Sequence, residues 1–142
     1  TPNILRRIET QLVDAIDYMQ ENHIIHHPIT PDKIIFTDQT ENLKLIDVGY
    51  DHKDLLTPQD TAEDILAYGK VLTEVLNNIP GNYPRLRKIA NKCIDPDPKR
   101  RYHSFSELYL AIERRSSSQL YGWLIAFICA MVGLLVWLTL GN

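Results

Sequence analysis

Cysteine is scarce in this chain: Cys93 and Cys129 are the only two. Two thiols are too few for a disulfide framework, and no Cys-x-x-Cys pair offers a thiolate set for a metal. An excess of one charge is missing too, with 18 acidic against 15 basic residues and a formal net charge of -3 over 142 residues. So slight a balance removes the electrostatic case for a nucleic acid or for an acidic partner. No Gly-rich phosphate-binding loop occurs anywhere. No secretory leader opens the chain, since residues 1–22 are polar and periodic. Length suggests one domain, and a start at Thr1 rather than Met fits a processed or incomplete product.

Apolar residues are unevenly spread. From Leu120 to Leu140 no side chain is charged. At about 1.5 Å per residue such a helix is roughly 31 Å long, the thickness of a bilayer's hydrocarbon core. Tyr121, Trp123 and Trp137 lie near its ends, where amphipathic rings favour the interface. The run therefore predicts a single-pass transmembrane helix over 120–140, a tail anchor followed only by Gly141 and Asn142. Arg114 and Arg115 precede it and nothing basic follows, which predicts membrane localisation with the amino-terminal part in the cytoplasm. Ala126, Ala130 and Gly133 fall on nearly one face, a small-residue pattern that permits a homodimer.

Ahead of that run the periodicity is helical. Leu5, Ile8, Leu12, Ala15, Ile16 and Met19 predict a helix over 3–22, with Thr1 as cap and Pro2 at its first position. Two short β-rich runs, Ile34–Phe36 and Leu43–Ile46, flank the turn-forming Thr37–Asn42 and predict a hairpin. Further helices are expected over about 61–77, 84–94 and 104–114. Ser104 and Glu107 fit a capping box in the last of these. Ser116, Ser117 and Ser118 read as a polar juxtamembrane linker within 114–119.

Four motifs in order then give the chain a family resemblance. His26-His27-Pro28-Ile29-Thr30-Pro31-Asp32-Lys33, followed by Asp47-Val48-Gly49, resembles the catalytic loop and Asp-Phe-Gly turn of protein kinases. Asp64-Ile65-Leu66-Ala67-Tyr68-Gly69 is similar to the family's next core helix. Cys93-Ile94-Asp95-Pro96, ending in Arg101, is similar to its late Cys-Leu-x-x-Asp-Pro-x-x-Arg motif. The resemblance covers residues 3–113. It implies a mainly α fold: a protein kinase-like large lobe with a small β-hairpin, the small lobe absent, and one C-terminal transmembrane helix. The implied domains are 1–113, 114–119 and 120–140.

The resemblance also implies lost chemistry. Pro28 stands at the catalytic Asp, Thr30 at the Lys and Lys33 at the metal-binding Asn. Phosphoryl transfer rests on positioned charge, so the loss of three such groups leaves little rate. No catalytic residue is expected. Asp47 alone keeps its role in the pattern, as a weak candidate for magnesium; the preferred reading is a turn residue paired with Lys33, because Mg²⁺ usually needs substrate phosphates to fill its shell. His26, Asp64 and Arg101 are expected to be structural, Arg101 meeting Gln59 or a backbone carbonyl. Thr57-Pro58-Gln59 is a faint echo of the family's Ala-Pro-Glu. His23, His26 and His27 cluster in sequence, yet no Cys or carboxylate lies at ligand spacing, so no metal is expected. No cofactor is expected either, residual ATP and magnesium binding being the exception weighed.

The function implied is a membrane-anchored pseudokinase, a scaffold for signalling with an unknown protein partner and no nucleic acid. One alternative is the carboxy-terminal part of a truncated ATP-dependent protein kinase. The other is a structural membrane protein that assembles through its tail helix.

Overall fold

Apolar residues at the amino terminus wind as α1 (Pro2–Arg7), a wide turn with π-helical bonding (Ile8–Leu12), and α2 (Val13–Glu21). In this computed structural model residues 2–37 and 42–140 are described, with side chains at 4–37, 42–113 and 124–132. Thr1, the expected cap, and residues 38–41 of the expected turn lie outside them. The wide turn takes up an additional residue and resets the apolar stripe. Leu5 and Ile8 are buried before the reset, and Leu12, Val13, Ile16 and Met19 after it.

The β part contains two ladders. β2 (Ile34–Thr37) and β3 (Asn42–Leu45) form the expected hairpin, with Ile34 opposite Leu45 and Thr37 opposite Asn42. β1 (Ile24–His26) pairs antiparallel with β4 (Tyr50–His52), His26 facing Tyr50 and Ile24 facing His52. This second ladder is absent from the sequence reading because Tyr50-Asp51-His52 has no apolar alternation. Backbone bonds hold it instead, extended by Lys53 N–H donating to His23 O at 3.0 Å. A 3₁₀ turn (Pro31–Lys33) leads into β2, and Ile46 N–H donates to Lys33 O at 2.9 Å. Gln11 Oε1, on the wide turn, accepts from Leu43 N–H at 2.7 Å and so ties β3 to the first helix.

α3 (Pro58–Asn78) starts three residues before its expected position. Thr57 and Asp60 form a capping box, with Thr57 N–H donating to Asp60 Oδ2 at 2.7 Å and Pro58 at the first helical position. The Thr57-Pro58-Gln59 echo is thus a helix start, with Gln59 Nε2 bonded to Glu63 Oε1. α4 (Pro84–Cys93) packs on α3 through Gly69. A β-carbon at Gly69 meets Cys93 Cβ, Ile94 Cγ2 and the Ala90 carbonyl, so only glycine permits this approach. Around the contact Ile65, Tyr68, Leu72, Ile89 and Cys93 are buried, and the Cys93 thiol is pushed up to about 12 by burial, which makes it inert.

The chain divides into two compact units, Thr1–Tyr109 and Leu110–Asn142. α5 runs Phe105–Leu140 as one helix. At its start Ser104 Oγ accepts from Glu107 N–H at 3.1 Å, while Glu107 Oε2 accepts from His103 N–H rather than from Ser104 N–H, a shifted version of the expected box. The helix also continues through Ser116–Ser118, where a linker is expected.

Among the described residues no helix is long and apolar enough to cross a membrane. That finding corrects the transmembrane helix over 120–140, the tail anchor, the single-pass arrangement, and the membrane localisation with a cytoplasmic amino-terminal part. Of this segment the side chains at 124–132 are described, and all of them are exposed. The remaining positions on which the expectation drew, Arg114, Arg115, Tyr121, Trp123 and Trp137 among them, lie outside the described side chains. Of the proposed dimer face, Ala126 and Ala130 are exposed and Gly133 lies outside them.

Candidate functional site

The strand β1 delivers the chain into the loop His26–Lys33, and β4 closes over it. Val48 is buried at its base and its carbonyl accepts from His27 N–H at 2.7 Å, which joins the loop to the Asp47–Gly49 turn. Ile29 is buried as well, the apolar anchor of the loop. Pro28 and Thr30 are exposed on either side of it. Pro28 offers only a carbonyl, and Lys33 Nζ approaches that carbonyl oxygen at 3.4 Å. The lysine therefore reaches across the loop to position 28. Among the described residues it makes no ion pair with Asp47, contrary to the expected pairing.

Asp47 is exposed, with φ 50° in the left-handed region, and Gly49 follows at φ 55°. A side chain at Gly49 would run into the His27 imidazole, so the turn requires glycine on both counts. Non-glycine residues at positive φ carry strain, and they concentrate where a structure holds a side chain in a fixed direction. His23, at φ 57°, is the other such residue here; it ends the first helix, and its Nδ1 bonds to Asp54 O at 2.9 Å.

Beneath the loop lies a polar network. His26 is 1% exposed at its side chain, and its Nε2 sits 3.4 Å from Asp64 Oδ1 on α3. Gln20, from α2, donates Nε2–H to Asp64 Oδ2 at 2.8 Å, and Thr61 Oγ1 donates to Gln20 Oε1 at 3.3 Å. One carboxylate thus joins β1, α2 and α3. Burial pushes the Asp64 carboxyl upward, while the Gln20 hydrogen bond and His26 oppose that shift and Asp60 and Glu63 add to it. Asp60 itself is held well below the usual carboxylate range by hydrogen bonds from Lys53 and then Thr57. Lys53 Nζ reaches its two oxygens at 2.9 and 2.7 Å.

No protein-family model matches the chain. The geometry is left to say what the site can do. Arg101 donates Nε–H to the Asp95 carbonyl at 2.7 Å, closing the loop that follows α4. Among the described residues no group of three or more His, Cys, Asp or Glu is placed to hold a metal. His23 and His52 approach with ring centroids 6.3 Å apart, but His26 turns away toward Asp64.

Sequence reading also missed a surface. A hollow of about 430 Å³ opens between α2, β3 and the β1–β4 ladder. Ala15, Met19, Ile24, Leu43 and Leu45 form it, with Tyr18 and Tyr50 at the rim, 62% and 65% exposed. The helical and strand periods were visible separately, Ala15 as part of the helical stripe and Tyr18 outside it. Only the folding of β3 and β4 beside α2 assembles them into one apolar face.

Proposed function

We propose that this chain is a protein kinase-like large lobe that has lost phosphotransfer and serves as a binding module. The supporting observation is Lys33 Nζ at 3.4 Å from Pro28 O. In the resemblance these are the positions of the metal-binding Asn and of the catalytic Asp. Here one is a cation and the other a carbonyl, and they meet each other. A cation so placed repels Mg²⁺, and position 28 presents no carboxylate to orient an attacking hydroxyl. Binding is favoured by the apolar hollow beside α2, since exposed apolar surface of this kind commonly marks an interaction site.

A phosphotransfer assay with labelled ATP and Mg²⁺ tests the reading. The chain is expected to stay at background. Activity in the unaltered chain that disappears on Asp47→Ala overturns it. The triple variant Pro28→Asp, Thr30→Lys, Lys33→Asn measures how much of the loss resides in those three groups.

A second reading takes these residues as the carboxy-terminal part of a longer ATP-dependent kinase. The exposure of Tyr18 and Tyr50 favours it, because such a face is normally covered by further polypeptide. A rise of several degrees in melting temperature with ATP and Mg²⁺ supports the second reading over the first.

A further inference from the structure

A histidine ring and a carboxylate that meet in a buried corner have few ways to arrange their protons. His26 Nδ1 lies 2.8 Å from His27 O. A carbonyl only accepts, so Nδ1 carries a hydrogen. In the neutral ring the other nitrogen, Nε2, then presents a lone pair, and it points at Asp64 Oδ1 from 3.4 Å with no hydrogen-bond partner of its own. A lone pair against a carboxylate in a site where the ring is 1% exposed is repulsive. One added proton removes the conflict, either on Nε2 as imidazolium against carboxylate or on Oδ1 as carboxylic acid donating to imidazole. We propose that His26 and Asp64 hold one proton in common, and that this proton latches the β1–β4 ladder onto α3.

The surroundings favour retention of that proton. From α3, Asp60 and Glu63 bear on Asp64 as like charges. On the β side, His27, Tyr50 and Asp51 line a hollow of about 290 Å³ with His26. α2 offers the neutral Gln20 amide, and Lys33 on the 3₁₀ turn is directed to Pro28 O instead. Lys53 is taken by Asp60. Negative groups therefore outnumber free cations near the pair. Burial acts in the same direction by raising the Asp64 carboxyl. A raised folded value means that stability is fully present below the ordinary carboxylate range and is lost as pH rises through the raised value. Removal to solvent leaves a net negative charge and an unpaired Nε2, and the β1–β4 ladder loosens from α3. None of this depends on the kinase-like reading.

The test uses the full chain labelled with ¹⁵N-histidine, followed by NMR and by melting temperature across pH 5.5–8.5. The His26 Nδ1 resonance is expected to report a bound hydrogen at every pH. The melting temperature is expected to fall by about 4 °C as pH rises across this range. His26→Gln places a non-titrating amide near the Nε2 position, where it donates to Asp64 permanently; Asp64→Asn removes the carboxylate. Both variants are expected to lose most of that fall. A His26 Nδ1 without hydrogen, or an unchanged pH profile in His26→Gln, overturns the proposal. Should Asp64→Asn fail to fold, the wild-type resonances and His26→Gln still decide it.

Discussion

Tyr68 is buried completely in α3, yet its hydroxyl has no hydrogen-bond partner among the described residues. Burial pushes that hydroxyl well above its usual range, so it stays protonated and uncharged. An orphaned polar group in a core costs desolvation that nothing returns. Tyr68→Phe is therefore expected to stabilise the chain by about 1 kcal/mol, measured by urea denaturation; a loss of that size means the hydroxyl has a partner in solution. At this scale the sequence was informative about chemistry and silent about partners. Pro28 already excludes an acid–base role at its own position by residue type. That Lys33 turns to Pro28 O instead of Asp47, and that Arg101 meets the Asp95 carbonyl, depends on backbone direction at 3₁₀ and loop residues. Such directions have no periodic signature.

Elements were legible where periodicity is long. The first helix, the β2–β3 hairpin, α3 and α4 follow from spacing alone, whereas the β1–β4 ladder does not, since three residues cannot establish a period. The start of α3 shows the competing signal: Thr57-Pro58-Gln59 read as an echo of Ala-Pro-Glu, but with Asp60 it is a helix opening. Thr57→Ala is expected to lower stability by about 1 kcal/mol and to free Asp60 from one donor, read by chemical denaturation near neutral pH. Asp60 adds a pH dependence of definite sign. Its folded value is lowered, so its contribution is present above the ordinary carboxylate range and is lost as pH falls through the lowered value. In Lys53→Met, whose acid limb lacks the leading cause of the shift, acid unfolding is expected to begin at a higher pH.

On the scale of the whole molecule, packing is concentrated at the α3–α4 contact, where Gly69 lets the helices approach. β4 is exposed along its length and, among the described residues, pairs with β1 alone. Amide exchange is accordingly expected to be slowest in α3 and α4 and fastest, within the first unit, in β4. Protection of β4 equal to that of α3, by mass spectrometry, contradicts this ordering. The segment 120–140 shows how composition and structure answer different questions. Hydropathy counts apolar residues wherever they occur, while the correction rests on the finding that, among the described residues, no helix is long and apolar enough to cross a membrane. Sequence alone determined the helical stripes, the hairpin and the residue types present in the loop, because residue type and short-range period are local properties. The tertiary structure alone decided the second ladder, the apolar hollow beside α2, and the meeting of His26 with Asp64. Those join residues tens of positions apart, and only the folded path of the backbone brings them within reach.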